Sequence, residues 1–137
     1  MQRLETKARV RALQLLYAWD LLGHPPLETV VIGLVRLFGG LPPGFARAAM
    51  LADRAVDGCA EFDARVAQAA EHWRLERLGV IERNVLRLAL AELMLGEAPP
   101  RVVIDEAVKL AHWFGGPKAP AFVNGVLDAL AREAGAL

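Results

Sequence analysis

The N-terminal segment of the chain carries a basic stripe that ends in an aromatic residue. Lys7, Arg11 and Gln14 follow one another at spacings of four and three, so they share one face of a predicted helix. Tyr17 lies three residues further on and extends this face. Cationic side chains hold phosphates and an exposed ring stacks on an unpaired base, so the stripe is typical of a single-stranded RNA site. The alternative is an ordinary amphipathic helix whose basic side faces water.

The segment AFVNGVLDALARE, residues 121–133, is a second candidate site. Its apolar residues recur at helical spacing, although the pair Asn124-Gly125 is typical of a tight hairpin turn. Pro120 precedes the segment, so we expect a helix that starts near Phe122. A helix start offers N–H groups and a positive dipole end to an anion, Asn124 suits base edges, and Gly125 allows close approach. The alternative is local: Phe122 packs as a staple and Asn124 caps the helix.

The charge of the chain is balanced, so any nucleic-acid site must come from local clustering. Lysine and arginine together number 16, as do aspartate and glutamate, and the formal net charge is zero. The first eleven residues supply a cluster, with the cations Arg3, Lys7, Arg9 and Arg11 against the single acid Glu5. The length of 137 residues and the hydrophobic content of 55% suit one domain with a sizeable core.

The sequence contains no convincing catalytic or metal-binding pattern. The glycines are not spaced for a nucleotide-phosphate loop, and His24, His72 and His112 lack ligand spacing. Asp105 and Glu106 are adjacent, so they point in different directions on a helix. We therefore expect a binding protein that is not an enzyme and has no cofactor or metal.

The sequence indicates a cytoplasmic protein that does not cross a membrane. Cys59 is the single cysteine, so no disulfide can form within the chain. Charges fall too early and too often for a signal peptide. The longest strongly apolar run, VVIGLV, is far shorter than the ~20 residues that a bilayer span needs.

Glycine and proline divide the chain into helical segments. The breakers are GHPP at 23–26, GGLPPG at 39–44, GEAPP at 96–100 and GGPKAP at 115–120. Between them, Ala, Leu and Arg favour helices at about 4–22, 27–38, 45–69, 71–76, 80–95, 101–114 and 119–133. The predicted class is all-α, with one domain over 1–137 and about seven helices, in two possible helical subdomains at about 1–76 and 77–137.

Four stretches of the sequence resemble the NusB family of bacterial transcription antitermination factors, along nearly the whole chain. They are ARVRALQLLYAWDL, FDARVAQAAEHWRLERLGVIERNVLRLALAEL, PPRVVIDEAVKLAHWFG and KAPAFVNGVLDALARE. The resemblance implies an all-α fold of two packed subdomains. It also implies binding to single-stranded boxA RNA together with NusE, a small-subunit ribosomal protein. That complex joins other Nus factors on RNA polymerase and lets transcription run past terminators.

The resemblance also implies roles for individual positions. The basic N-terminal segment, Tyr17 and the start of the last helix correspond to the family's RNA surface. Together with the stripe described above, this predicts the RNA-binding residues Lys7, Arg9, Arg11, Gln14, Tyr17, Phe122 and Asn124. Glu82 and Arg83 fall where the family's central helix approaches RNA and the ribosomal partner, so we predict that they bind the partner.

The chain departs from the family at positions near the expected RNA surface. Glu5 and Thr6 stand where many relatives have further arginines, and Ala121 stands where a lysine commonly precedes the phenylalanine. We expect these departures to weaken the intrinsic affinity for RNA. Lys118, in a loop that is often acidic or polar, is expected to offset part of that loss.

Other functions also fit the sequence. NusB-like domains occur fused to ribosomal-RNA cytosine methyltransferases, and this chain, which lacks a methyl-donor motif, would then be a detached fragment. A structural partner that stabilises a ribosomal protein without touching RNA is compatible with the zero net charge. A homodimer is a further alternative, because broad apolar helices can leave a patch exposed.

Overall fold

The computed structural model describes residues 3–70 and 78–135. These residues form seven α-helices and contain no strand: α1 (Leu4–Leu21), α2 (Leu27–Phe38), α3 (Phe45–Asp57), α4 (Cys59–Ala69), α5 (Val80–Leu95), α6 (Pro100–Phe114) and α7 (Ala119–Glu133). The all-α prediction is confirmed. The helix predicted at 71–76 lies outside the described residues.

The breakers rich in glycine and proline end the helices where the sequence predicts. α2, α5 and α7 have the predicted bounds, and α1 and α6 each differ from theirs by one residue. Gly39 and Gly96 follow α2 and α5 with φ of 73° and 66°, a left-handed conformation that glycine adopts without steric strain. Pro100 begins α6, at a position where an N–H group would have no partner within the helix.

The prediction of one helix over 45–69 is wrong, because the helix is interrupted at Gly58. α3 ends at Asp57 and α4 begins at Cys59. The buried ring of Phe62 lies against Gly58, and a Cβ at that glycine would stand 2.5 Å from the ring. The missing side chain therefore makes room for the ring at the junction of the two helices.

α5 is the central helix of the fold. It contacts α1, α3, α4, α6 and α7, and its residues from Asn84 to Glu92 are all buried. Away from α5, α1 packs mainly on α3, and α6 packs mainly on α7. A helix that is apolar on most sides must be enclosed by its neighbours, which explains the wide apolar surface of this segment in the sequence. The division into two subdomains stays a prediction.

Aliphatic side chains from all seven helices contribute to the core. The largest that are fully buried include Leu15, Leu16, Leu51, Leu86, Leu88, Ile104 and Leu127. Burial of such a side chain contributes roughly 1.5–3 kcal/mol each, which gives the fold a stable interior without crosslinks. Among the helices of the described residues, none combines the length and apolarity that a membrane span requires.

Candidate nucleic-acid interface

The predicted basic stripe lies on the outer side of α1. The inner side of the helix is buried, at residues such as Ala12 and Leu16. Lys7 and Gln14 are half-buried, and Tyr17 is 40% exposed. Ten residues separate Lys7 from Tyr17, so the stripe is about 15 Å long at the rise of an α-helix. This length suits a strand of a few nucleotides.

Arg11 is held in place by two neighbours on the same surface. Its guanidinium carbon lies 4.8 Å from the ring centroid of Phe38, at the end of α2, in a cation–π contact. Its Nη1 donates a hydrogen bond of 3.0 Å to Oε1 of Gln14. Phe38 is 39% exposed, so it adds an aromatic ring beside the stripe that the sequence analysis missed. The available signal was an aromatic residue directly before the breaker at 39–44.

Arg9 lies in the interior rather than on this surface. It is 7% exposed, and its guanidinium donates to both carboxylate oxygens of Glu92 on α5, with Nη2 2.7 Å from Oε2. Glu106 on α6 is a second partner at 3.5 Å. The hydrogen bond with Glu92 raises the pKa of Arg9 against the effect of burial. Arg9 therefore joins α1 to α5 and α6 and has little surface left for a phosphate, in contrast to its predicted role.

The far end of α1 is tied to the start of α5 through Asp20. Oδ2 of Asp20 accepts hydrogen bonds of 3.0 to 3.1 Å from Arg83, Asn84 and Arg87. His24, in the following loop, lies 2.7 Å from Oδ1. Burial alone would raise the pKa of Asp20, but these hydrogen bonds, first that with His24, outweigh it and lower the pKa to about 2. Asp20 is therefore ionised at neutral pH.

Arg87 extends this network to α4. It donates to both carboxylate oxygens of Asp63, at 2.6 and 2.8 Å, and its guanidinium carbon lies 5.8 Å from the ring centroid of Trp19. The ring of Trp19 also stacks on His24, with centroids 3.8 Å apart. Burial would lower the pKa of Arg87, but the Asp63 carboxylate more than compensates and raises it. α1, α4 and α5 are thus joined by charged groups that are already paired.

Ion pairs hold α1 and α5 at both ends of their contact. Arg9, near the start of α1, binds Glu92, near the end of α5. Asp20, near the end of α1, binds Arg83, near the start of α5. The two helices are therefore antiparallel. Because a poorly exposed charge is costly unless it is paired, these contacts fix which residues of the two helices face each other.

Glu82 connects the start of α5 to the loop before α7. Its Oε1 accepts a hydrogen bond of 3.4 Å from the backbone N–H of Gly116. A Cβ at Gly115 would stand 3.1 Å from the same oxygen and 2.8 Å from the carbonyl oxygen of Ala111. Glu82 and its neighbour Arg83 therefore link the end of α1, the start of α5 and the loop that leads into α7. Their predicted contact with a partner protein stays a prediction.

The Asn-Gly pair lies within a helix, as the apolar spacing predicts. α7 runs from Ala119 to Glu133, with Val123 buried on its inner side. It therefore begins three residues before the start near Phe122 that the position of Pro120 predicted, because a proline is tolerated in the first turn of a helix. Asn124 is exposed, and Phe122 is half-buried where it packs against the core. Lys118, directly before the helix, is exposed. The first turns of α7, with the residue before them, therefore carry an exposed cation, an exposed amide and a half-buried ring.

The arrangement suits binding rather than catalysis. The four predicted residues on the stripe of α1 share its outer side, and the contacts of Asp20, Arg83 and Glu82 bring the end of α1 and the loop before α7 to the same end of α5. The buried carboxylates and guanidinium groups are engaged with one another. At the predicted positions on α1 and α7, the groups that reach solvent are cations, amides and aromatic rings.

Comparison with known proteins identifies the family. The model of the NusB family matches residues 6–132. The transcription antitermination protein NusB of Solibacter usitatus (strain Ellin6076) is 41% identical over 130 residues, which cover 93% of this chain and 88% of the relative. The protein of the same name from Anaeromyxobacter dehalogenans (strain 2CP-1) is 40% identical over 130 residues, which cover 92% and 89%. The chain belongs to the NusB family.

Solved structures share the fold. NusB from T. maritima has a TM-score of 0.82 at 28% identity, with 97% of this chain and 94% of that chain covered. A chain in the crystal structure of antitermination factors NusB and NusE in complex with dsRNA has a TM-score of 0.81 at 33% identity, covering 97% and 99%. The predicted family and fold are confirmed. The function is that of a transcription antitermination factor rather than an enzyme.

Proposed function

We propose that this chain binds boxA-type single-stranded RNA jointly with a NusE-type ribosomal protein and so supports processive transcription of ribosomal RNA operons. The observation that carries the proposal is the outward stripe of α1, which joins cations to an exposed ring. A solved neighbour combines NusB, NusE and dsRNA in one complex, which supports RNA and NusE as the partners. Such a role belongs in the cytoplasm, together with other Nus factors and RNA polymerase.

Within this proposal the residues predicted to bind RNA have different roles, according to their side chains. Lys7 and Arg11 bind phosphates, because they are the cations on the outer side of α1. Tyr17 and Phe122 stack on bases, and Asn124 and Gln14 hydrogen-bond to base edges or phosphates. Arg9 is excluded from this set, because its guanidinium is bound by Glu92. Its contribution is to hold α1 against α5.

The partner protein is expected to contact the region around Glu82 and Arg83. Arg83 binds Asp20 but keeps 34% of its side chain exposed. A second molecule can therefore reach this pair without breaking the internal contacts. Contact there would lie beside the loop that leads into α7, so the proposal places the protein partner and the RNA on neighbouring surfaces.

An unpaired strand fits the surface better than a duplex. Tyr17 is 40% exposed, and a flat ring of this kind binds a base whose face is free. In a duplex the bases are stacked on one another, so the ring would contact only sugar and phosphate. The expected order of affinity is single-stranded boxA RNA, then a scrambled strand, then a duplex of the same sequence.

The test is a titration of labelled boxA RNA with this chain, alone and with equimolar NusE-type protein, at two salt concentrations. Tyr17→Ala and Phe122→Ala are each expected to weaken RNA binding by the heterodimer about tenfold, since a base stack is worth roughly 1–3 kcal/mol. Two to three phosphate contacts predict a slope of about −1.4 to −2.1 for log affinity against log salt, at about −0.7 per contact.

Two control variants make the result specific. Tyr17→Phe keeps the ring and is expected to keep most of the affinity. Met94→Ala removes an exposed apolar side chain from the other end of α5 and is expected to change nothing. Unchanged RNA binding in both alanine variants would reject the proposed surface. A stable complex with NusE that shows no sequence-dependent RNA binding would instead support the structural-partner alternative.

The methyltransferase alternative has less support. The curated relatives are antitermination proteins, and the alignment covers 88% of the length of the first of them. A homodimer stays a prediction with one observation in its favour: Leu37 and Leu41, around the end of α2, are 77% and 73% exposed. Sedimentation of the chain at two concentrations measures this directly.

A further inference from the structure

The outward face of α6 and the start of α1 enclose a cleft of about 440 Å³. Val102, Lys109 and Trp113 follow one another along α6 at helical spacing and line it. Thr6 lines it from α1, and Arg3 lines it from the position directly before α1. The volume lies in the range of pockets that hold small organic groups. None of these residues belongs to the RNA surface proposed above, but Arg3 lies four residues before Lys7, directly before α1.

One charged group in the cleft is neutralised by ion pairs within the protein, and another remains available to a ligand. Glu106 is bound internally: it accepts a hydrogen bond of 3.0 Å from Thr6 and pairs with Arg9 at 3.5 Å and Lys109 at 3.7 Å. Its carboxylate is therefore neutralised by the scaffold. Lys109 keeps 56% of its side chain exposed and is available to a second anion.

Trp113 is unusual because so large an apolar ring is 42% exposed. Its neighbour Phe114 is 45% exposed, and the two rings meet edge to face with centroids 6.4 Å apart. The two residues end α6, and the loop after them carries Lys118 and leads into α7. The ring of Trp113 thus lines the cleft one residue before the end of α6.

We propose that this cleft binds one further unpaired nucleotide of the same RNA. Its base stacks on Trp113, and its phosphate lies between Arg3 and Lys109. Lys109 and Trp113 are four residues apart and so adjacent on α6, the spacing that a phosphate and its own base require. The inference rests on the proposed function, and it extends the RNA path from the outer side of α1 across to α6.

RNA fits this cleft better than a protein segment does, because of its continuity with the basic stripe. Arg3 directly precedes α1 in an extended conformation, and its carbonyl oxygen accepts a hydrogen bond of 3.0 Å from the backbone N–H of Lys7. The cation at the start of the stripe is therefore close in the chain to Arg3, so an RNA strand that follows the stripe can continue towards it. Asp105 also lines the cleft and is exposed, without a bound cation among the described residues. A phosphate near Lys109 would be repelled by this carboxylate. Removal of the carboxylate charge should therefore raise the affinity for RNA, which provides a test of the proposal.

The experiment uses the full chain with its NusE-type partner and boxA RNA with single-stranded extensions at both ends. Trp113→Ala is expected to weaken binding about tenfold, and Trp113→Phe much less, because phenylalanine keeps a ring. Asp105→Asn is expected to tighten binding about twofold. A gain of affinity cannot come from misfolding.

A series of RNAs, each with one abasic nucleotide, locates the contact. In the wild-type complex, removal of the base at one position is expected to weaken binding. This loss of affinity should disappear in Trp113→Ala and persist in Tyr17→Ala. The inference is overturned if no position couples to Trp113 and if Asp105→Asn leaves the affinity unchanged. It is also overturned if Trp113→Ala weakens binding of the ribosomal protein and leaves RNA binding intact.

These outcomes separate the inference from the proposed function. Loss of affinity in Tyr17→Ala with full affinity in Trp113→Ala would reject the cleft alone. Full affinity in both variants would reject the RNA surface of α1 as well. Loss in both, with different abasic positions coupled to each ring, is the result that the inference predicts.

Discussion

Two cations of the first helix, Lys7 and Arg9, look alike in the sequence and do different things in the structure. Lys7 lies on the outer side of α1, and Arg9 is buried against Glu92. The partners Arg9 and Glu92 are 83 residues apart, so no local pattern identifies them. The one available signal was Glu92 itself, an acid within the apolar run of a central helix. A buried acid of this kind requires a cation, but the sequence does not say which one.

This difference predicts a large loss of stability when Arg9 is replaced and almost none when Lys7 is replaced. Arg9→Ala leaves Glu92 and Glu106 poorly compensated in the interior and is expected to lower the free energy of unfolding by about 3–5 kcal/mol. Lys7→Ala is expected to change it by less than about 0.5 kcal/mol while weakening RNA binding. Urea unfolding monitored by circular dichroism measures both variants. Similar stability in the two would show that Arg9 is not the anchor of α1.

Helix positions were largely predictable at the scale of elements, because glycine and proline mark their ends. α2, α5 and α7 begin and end where the breakers indicate. The junction at Gly58 was not predictable, since a lone glycine in a helical pattern costs only about 1 kcal/mol and is often tolerated. What decides it is the packing of Phe62 over the glycine. The contact between Glu82 and the backbone N–H of Gly116, which joins the start of α5 to the loop before α7, is likewise a tertiary contact.

The α6–α7 loop offers a matched pair of glycine substitutions. Gly115→Ala would place a Cβ 2.7 Å from the Cβ of Ala119 and 2.8 Å from the Ala111 carbonyl oxygen. We expect it to lower the free energy of unfolding by roughly 1–3 kcal/mol and to displace the start of α7. Gly116→Ala meets nothing within 4 Å among the described residues and serves as the control. Thermal unfolding compares them, and an equal Tm in both variants would contradict the packing argument.

At the scale of the whole molecule, stability at low pH depends on Asp20, because its carboxylate joins α1 to α5 and to the loop at His24. Its pKa is lowered from 3.8 to about 2, so the folded state favours the ionised carboxylate. The resulting stability of about 2 kcal/mol is present above pH 5 and is lost as the pH falls towards 2. Asp20→Asn is therefore expected to be less stable than the wild type at pH 7 and nearly equal to it at pH 2.

Unfolding by urea at pH 7, 4 and 2 tests this expectation. Asp53→Asn, at an exposed position on α3, is the control and should follow the wild type at each pH. A constant difference between Asp20→Asn and the wild type at all three pH values would mean that the contribution of Asp20 is packing rather than charge. In that case the network at the end of α1 would be insensitive to acid.

The antiparallel pairing of α1 and α5 has a consequence for the thermodynamics of binding. Arg9 and Asp20 fasten α1 near its two ends, so a slide of one turn, about 5.4 Å, would break both sets of contacts together. The groups on α1 that are proposed to bind RNA therefore keep their positions relative to α5 in the free protein. The conformational entropy lost on association is then mainly that of the RNA strand, which is flexible before it binds. Affinity will consequently depend more on how ordered the RNA is beforehand than on any rearrangement of the protein.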